Sequence, residues 1–193
     1  MCRVPVVALA LALLVTGCAS PPANFYTLRA TAAAGSAQSN ISIAVGPVTV
    51  PATIDRPQIV VSGSGNQLTI DDFNRWASPV QDNLVRVVAD NLVAILGSPR
   101  VTLYPTLATS VDFRVQIEVR NFESAPGKYA LLDAVWTVRR MKDGKSETGR
   151  SSVREAITES GYDALAAAHS RAVARMSQDI AEAVSTLERT ARP

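Results

Sequence analysis

The chain has 193 residues, with 19 Lys and Arg against 17 Asp and Glu and a formal charge of +2. Aromatic residues make up only 5% and the basic residues are scattered, which excludes the basic stripe with stacking aromatics that nucleic-acid binding needs. At 47% hydrophobic residues, the length suits one domain with a real core.

The N-terminus begins Met1-Cys2-Arg3 and continues as an unbroken apolar run from Val6 to Val15. Such a run spans about 15 Å as a helix, half of a hydrocarbon core of about 30 Å. It is too short to cross a membrane and suits the apolar region of a signal peptide. The run ends in Val15-Thr16-Gly17-Cys18, which resembles a lipobox: small residues give a peptidase access to the Gly17–Cys18 bond, and the thiol receives a diacylglyceryl group. The sequence therefore predicts a signal peptide over 1–17, a lipidated Cys18 with a short tether over 18–24, and one domain over 25–193. Cleavage would leave 176 of the 193 residues and, with Arg3 gone, lower the charge from +2 to +1. Cys2 and Cys18 are the only cysteines; with one removed and the other acylated, no thiol is left for a disulfide, a metal or catalysis. Ala19 after the cysteine fits the sorting pattern of outer-membrane lipoproteins, where Asp would favour inner-membrane retention. Six residues separate Cys18 from Phe25, a reach of at most about 20 Å, so the domain is held near its bilayer.

Phe25 to Leu28 reads as a first strand, and the Ala/Ser/Gly-rich segment Ala30–Asn40 as a loop. Ile41 to Val50 alternates and then changes phase near Gly46-Pro47, which predicts a kinked or bulged strand. Gln58–Val61 and Gln67–Ile70 flank a five-residue Gly/Ser loop and predict a hairpin. Asp71-Asp72 would then end the second strand and solvate a turn, with a cation site the lesser reading. Ser78, Pro79 and Gln81 form a capping-box pattern before a helix whose apolar residues run Val80, Leu84, Val87, Val88, Leu92, Ile95 and which stops at Gly97. A short strand at Val101–Tyr104 follows. Val111 to Arg120 alternates strictly, with Val111, Phe113, Val115, Ile117 and Val119 on one face and polar residues on the other. Tyr129–Arg139 is the next strand, and after a turn at Asp143-Gly144 its partner spans Ser146–Ile157. A long last helix, capped by Ser160, carries Leu165, Val173, Met176, Ile180, Val184 and Leu187 on one face. The expected architecture is α+β: a two-layer sandwich with a mainly antiparallel sheet and two long helices on one face, the other sheet face being polar and free for water or a partner.

Catalytic signals are weak. His169, the only histidine, lies four residues from Leu165 and from Val173, on or beside the apolar face, and reads as a packed residue. No Gly-x-Ser-x-Gly elbow or free cysteine accompanies it, and a metal site would need further His or Cys ligands. Ser62-Gly63-Ser64-Gly65 lacks the Lys and helix of a phosphate loop. Trp76 and Trp136 read as core residues, with a partner contact the lesser reading for Trp76. No enzyme, cofactor or metal is expected.

Four segments carry a family resemblance: Phe25-Tyr26-Thr27-Leu28; Val45-Gly46-Pro47-Val48 leading to Val50-Pro51 and Ile54-Asp55-Arg56-Pro57-Gln58-Ile59-Val60; Arg75-Trp76-Ala77-Ser78-Pro79 with its helix; and Leu131-Asp133-Ala134-Trp136. Together they resemble the PqiC/YmbA-type ABC-transport auxiliary lipoproteins over nearly the whole chain, although Ser78 stands where that family more often has an acidic residue. The resemblance implies an outer-membrane lipoprotein on the periplasmic face, working with an MCE-domain protein and through it an inner-membrane permease and ATPase in lipid transport. It also implies a homo-oligomeric ring as one possible assembly. Asp55, Arg56, Pro57, Gln58, Arg75 and Trp76 are the candidate partner-binding residues. The alternatives are a lipid carrier with a groove between helices and sheet, an envelope enzyme, and a plain peptidoglycan-binding anchor.

Overall fold

A computed structural model describes residues 22–36, 38–105 and 110–190; the leader, Gly17 and Cys18 lie outside the described residues. In chain order the elements are β1 (Asn24–Tyr26), β2 (Ile43–Thr49), β3 (Gln58–Ser62), β4 (Leu68–Trp76), α1 (Val80–Leu96), β5 (Val101–Leu103), β6 (Phe113–Ala125), β7 (Tyr129–Arg140), β8 (Ser146–Ala156) and α2 (Tyr162–Arg189).

The strictly alternating segment becomes β6, on which the sheet is organised. Along one edge β6 pairs antiparallel with β7, and β7 with β8, in hairpin order. Its other edge is shared. The first half holds β2 in parallel, Ile43 opposite Phe113 and Val45 opposite Val115, and the far end meets β3 at Ser124. Strand β5 lies parallel on β2, β4 antiparallel on β3, and β1 parallel on β4. The sheet is therefore mixed and curls into a half-barrel with two helices. This corrects the expected plain antiparallel sandwich, while the broader α+β class stands. The reason is that long stretches of chain separate the parallel partners: β3, β4 and α1 lie between β2 and β5, length enough to bring the chain back in the same direction, as parallel pairing requires.

Local expectations fare unevenly. The phase change in β2 is a real bulge: between Val45 and Val48 the strand advances by three residues while β6 advances from Val115 to Ile117. Gly46 sits there at φ +125°, and a Cβ on it would press against Tyr104, so only glycine suits the position. Gly97 ends α1 in the left-handed region at φ 60°, as a C-terminal glycine should. The N-terminal caps differ. Pro79 stands at the cap of α1 and Gly161 at that of α2, with no side-chain cap hydrogen bond at either. Neither the Ser78 capping box nor the Ser160 cap forms.

The core lies between the helices and the inner sheet face. Val88, Leu92, Leu165, Val173, Met176 and Ile180 are essentially inaccessible and meet Ile43, Val115, Leu132 and Val138. Alanines at 166, 168, 172, 181 and 183 flank the stripe of α2 and are also buried, allowing α1 and β7–β8 to approach the helix closely. Trp136 is buried and donates from Nε1 to Ser151 Oγ at 3.0 Å. A Cβ on Gly149 would overlap the Trp136 ring. Arg140, only 5% exposed, is held by Asp143 at 2.7 Å and donates to the carbonyl of Leu187. That places a cation at the negative end of the α2 dipole.

Candidate interaction edge

The fold brings the two candidate segments together across β3 and β4. Gln58 is registered with Arg75, and the Trp76 N–H donates to the Pro57 carbonyl at 2.7 Å. Tight turns form the approach: Ile54 N–H donates to Pro51 O at 3.0 Å, and Arg56 N–H to Ile54 O at 2.8 Å. Strand β1 then lies along β4 with Tyr26 beside Trp76, and the Ala77 N–H donates to Tyr26 O at 2.8 Å. Three of the four segments that carried the family resemblance thus meet at the end of the sheet where the chain enters from its tether.

Within this edge the candidates separate by exposure. Asp55 and Pro57 are exposed, and Arg56, Gln58 and Arg75 half-buried. Arg75 donates from Nε to the Asp72 carbonyl at 2.8 Å, while the Arg56 Nε is buried without a hydrogen-bond partner among the described residues. Trp76 is different: at 6% exposure it belongs to the core, so its indole supports the edge from behind.

That support is aromatic. Trp76 meets Phe122 and His169 edge-on, at 6.1 and 6.2 Å between centroids, and His169 stacks on Phe122 at 3.8 Å. His169 is fully buried; its Nε2 lies 2.9 Å from Ser124 Oγ, and its Nδ1 has no partner among the described residues. Burial disfavours the imidazolium and pushes the pKa down to about 3, so the ring is neutral at physiological pH. No carboxylate orients it, as a catalytic Ser–His pair would require. It joins α2 to β6 and β4.

A second, polar brace sits nearby. Between its pairings with Ile59 and Gln58, β4 carries three extra residues, Asp72 to Asn74. Asp71, expected to end the strand, instead holds this bulge inside it. Its carboxylate accepts from the Phe73 and Asn74 N–H groups at 2.9 Å each, from Asn74 Nδ2 at 3.0 Å and from the Tyr162 hydroxyl at 2.6 Å. Burial acts to raise its pKa, but these hydrogen bonds together outweigh it and hold the carboxyl at about 2. Tyr162, at the start of α2, is pushed above its ordinary value by burial and then by that same bond. Tyr26 completes the cluster, its hydroxyl donating to Asn74 Oδ1 at 3.0 Å and its ring 5.8 Å from that of Tyr162. Sequence reasoning missed this role because Asp71 and Tyr162 are far apart in the chain.

The space a lipid carrier would use, between helices and sheet, is filled by the core side chains. A cleft of about 790 Å³ opens elsewhere, between the C-terminal halves of α1 and α2 and the loop around Asn40. Gln178, Glu182, Ser185 and Thr186 line it together with Ile95, Leu96 and Ala181, so its helical wall is mixed polar and apolar. Among the described residues no His, Cys, Asp or Glu group is arranged to hold a metal, and no helix is long and apolar enough to cross a membrane.

Fold and edge together define an α+β domain built on a mixed half-barrel sheet. Over residues 26–181 the sequence matches the family described as ABC-type transport auxiliary lipoprotein component. The chain belongs to that family, which is defined by a transport role rather than by an enzyme activity. The solved structures similar to it include two that match most of the chain. One is a crystal structure of an uncharacterized protein, 20% identical, with a TM-score of 0.71, covering 85% of this chain and 99% of that one. The other is protein XCC0632 from Xanthomonas campestris, of the DUF330 family, 18% identical, with a TM-score of 0.72, covering 88% and 100%. At these identities the likeness establishes the fold. No protein of curated function matches the chain.

Proposed function

We propose that this protein is a docking component of an MCE/ABC-type lipid-transport system, lipidated at Cys18 and held on the periplasmic face of the outer membrane. Family membership supports the transport association. The lipobox pattern and Ala19 support the anchor and its membrane. The observation that carries the docking role is the convergence of Asp55–Gln58 with Arg75 beside β1, at the tether end of the sheet. An MCE-domain protein is the partner, joined through it to a permease and ATPase, and a ring of copies is the assembly in which the edge would be presented. The filled helix–sheet interface favours docking over carriage of lipid.

The test is co-purification of the full-length protein with its MCE partner from membranes. Asp55→Lys combined with Gln58→Lys should weaken recovery about tenfold, the scale of about 1.4 kcal/mol, while Lys142→Glu, in the β7–β8 turn near the C-terminus of α2, leaves it intact. Full-length preparations that never contain an MCE protein would sink the proposal, as would equal recovery of both variants.

A further inference from the structure

Four of the most exposed large apolar side chains lie on one pair of strands. Phe25 on β1 is 63% exposed, and Leu68, Ile70 and Phe73 on β4 are 54%, 46% and 46% exposed. The others, Val93, Tyr104 and Met141, sit singly on different elements. Register fixes the direction of the stripe. Asp71 pairs with buried Ile59 and bonds to Tyr162 of α2, so it faces the helix layer. Leu68 and Ile70 alternate with it and face outward, registered with Ser62 and Val60. Phe25, registered with Arg75 and alternating with the inward Tyr26–Trp76 pair, faces outward too. Phe73 lies in the bulge between them, which Asp71 holds from within. All four are exposed, while Tyr26, Asn74 and Tyr162 gather around Asp71 on the inner side of this edge.

The stripe also lies on an open edge. Strand β1 covers β4 only from Asn74 to Trp76, and among the described residues no strand pairs with that side of β4 from Leu68 to Phe73. Exposed edges usually carry charge against unwanted pairing; this one carries the exposed Asp72 but also Leu68, Ile70 and Phe73, and such a grouping of exposed apolar side chains marks a contact surface.

The occupant follows from where the chain comes from. Phe25 is seven residues after Cys18, so a tether of at most about 25 Å leads from the bilayer surface into the end of the stripe. We infer that the Phe25–Phe73–Ile70–Leu68 stripe lies against the lipid surface, seated in the headgroup region beside the acyl anchor. This rests on the lipid-anchor reading above. It gives the domain a fixed pose: β4 is on the membrane, while the far end of α2, with Arg140 and Lys142, points away from it. The two chains of the diacylglyceryl group suffice to hold the protein on the membrane; the stripe adds an apolar contact that orients the domain.

The same cysteine arithmetic supplies the test. With Cys2 removed and Cys18 acylated, Phe73→Cys, Ile70→Cys or Lys142→Cys gives the full-length lipidated protein one free thiol for an environment-sensitive fluorophore. Each is reconstituted into phosphatidylethanolamine/phosphatidylglycerol vesicles containing spin-labelled lipid, and intact mass is read on the same preparation. The expected result is acyl mass present, with emission at 73 and 70 shifted to the blue and quenched about twofold or more by the spin-labelled lipid, as for residues seated at the headgroup boundary, and position 142 unquenched. Acyl mass present with 73 and 70 as unquenched as 142 overturns the pose and leaves the anchor standing. A blue shift that persists in detergent without quenching shows that protein covers the stripe, and also overturns it. Absence of acyl mass removes the anchor reading and this inference together.

Discussion

Replacing His169 by glutamine tests whether the interior of the interaction edge is as dry as the geometry requires. The imidazole is wholly buried, stacked on Phe122 and bonded through Nε2 to Ser124. Its pKa is pushed by burial from 6.5 down to about 3. The unfolded chain takes up a proton on this ring below about pH 6.5 and the folded protein does not, so stability is complete above that pH and drains away as pH falls toward 3. The slope is about 1.4 kcal/mol per pH unit, so by pH 5 this one group removes about 2 kcal/mol. That is a large share of a total stability of about 5–15 kcal/mol. Glutamine cannot titrate and can still bond to Ser124. His169→Gln should cost about 1–2 kcal/mol at pH 7 through the lost stacking, yet lose less than wild type on going to pH 5. The gap between the two proteins should narrow by about 2 kcal/mol over that range. Urea unfolding at pH 7, 6 and 5, followed by the fluorescence of Trp76, whose ring is 6.2 Å from the imidazole, measures this. Stability curves that stay parallel from pH 7 to pH 5 would show that His169 can be protonated in the folded state and would refute the reasoning.

Two further substitutions probe how loops and the sheet are held. Asn91, fully buried in α1, accepts from the Thr31 and Ala32 N–H groups at 3.1 and 3.0 Å and donates to Ser177 of α2 at 3.3 Å. Asn91→Ala strands those donors and should cost about 2–4 kcal/mol, with faster hydrogen exchange at residues 31 and 32 read by mass spectrometry. Gly149 lies against the Trp136 ring, and Gly149→Ala should lower stability by about 1–3 kcal/mol by overpacking, measured by thermal melting.

Much of the architecture can be read directly from residue order, for reasons that are local. Alternation from Val111 to Arg120 shows which face is buried, because side chains of a strand point alternately to either side. The 3.6-residue spacing of Leu165, Val173, Met176, Ile180 and Val184 does the same for α2. Gly97 and Gly46-Pro47 mark backbone that other residues adopt only with strain, and the helix stop and the β2 bulge fall there. Trp136 and His169 read correctly as packed residues because each lies within an apolar pattern.

What only the tertiary structure decides is partnership. A period of two says nothing about the direction of the neighbouring strand, so the parallel pairings of β2 with β5 and β6, and of β1 with β4, were not legible and the sheet was expected to be antiparallel. The cap patterns at Ser78 and Ser160 failed because the entry path of the chain, set by Pro79 and Gly161, decides which backbone groups a side chain can reach. Asp71 reads as a strand end until Tyr162, 91 residues on, is seen to bond to it. Trp76 belongs to the core because Phe122 and His169 meet it there. In each case the deciding contact joins residues far apart in the chain, and the free energy of such a contact depends on a separation in space that local sequence does not specify.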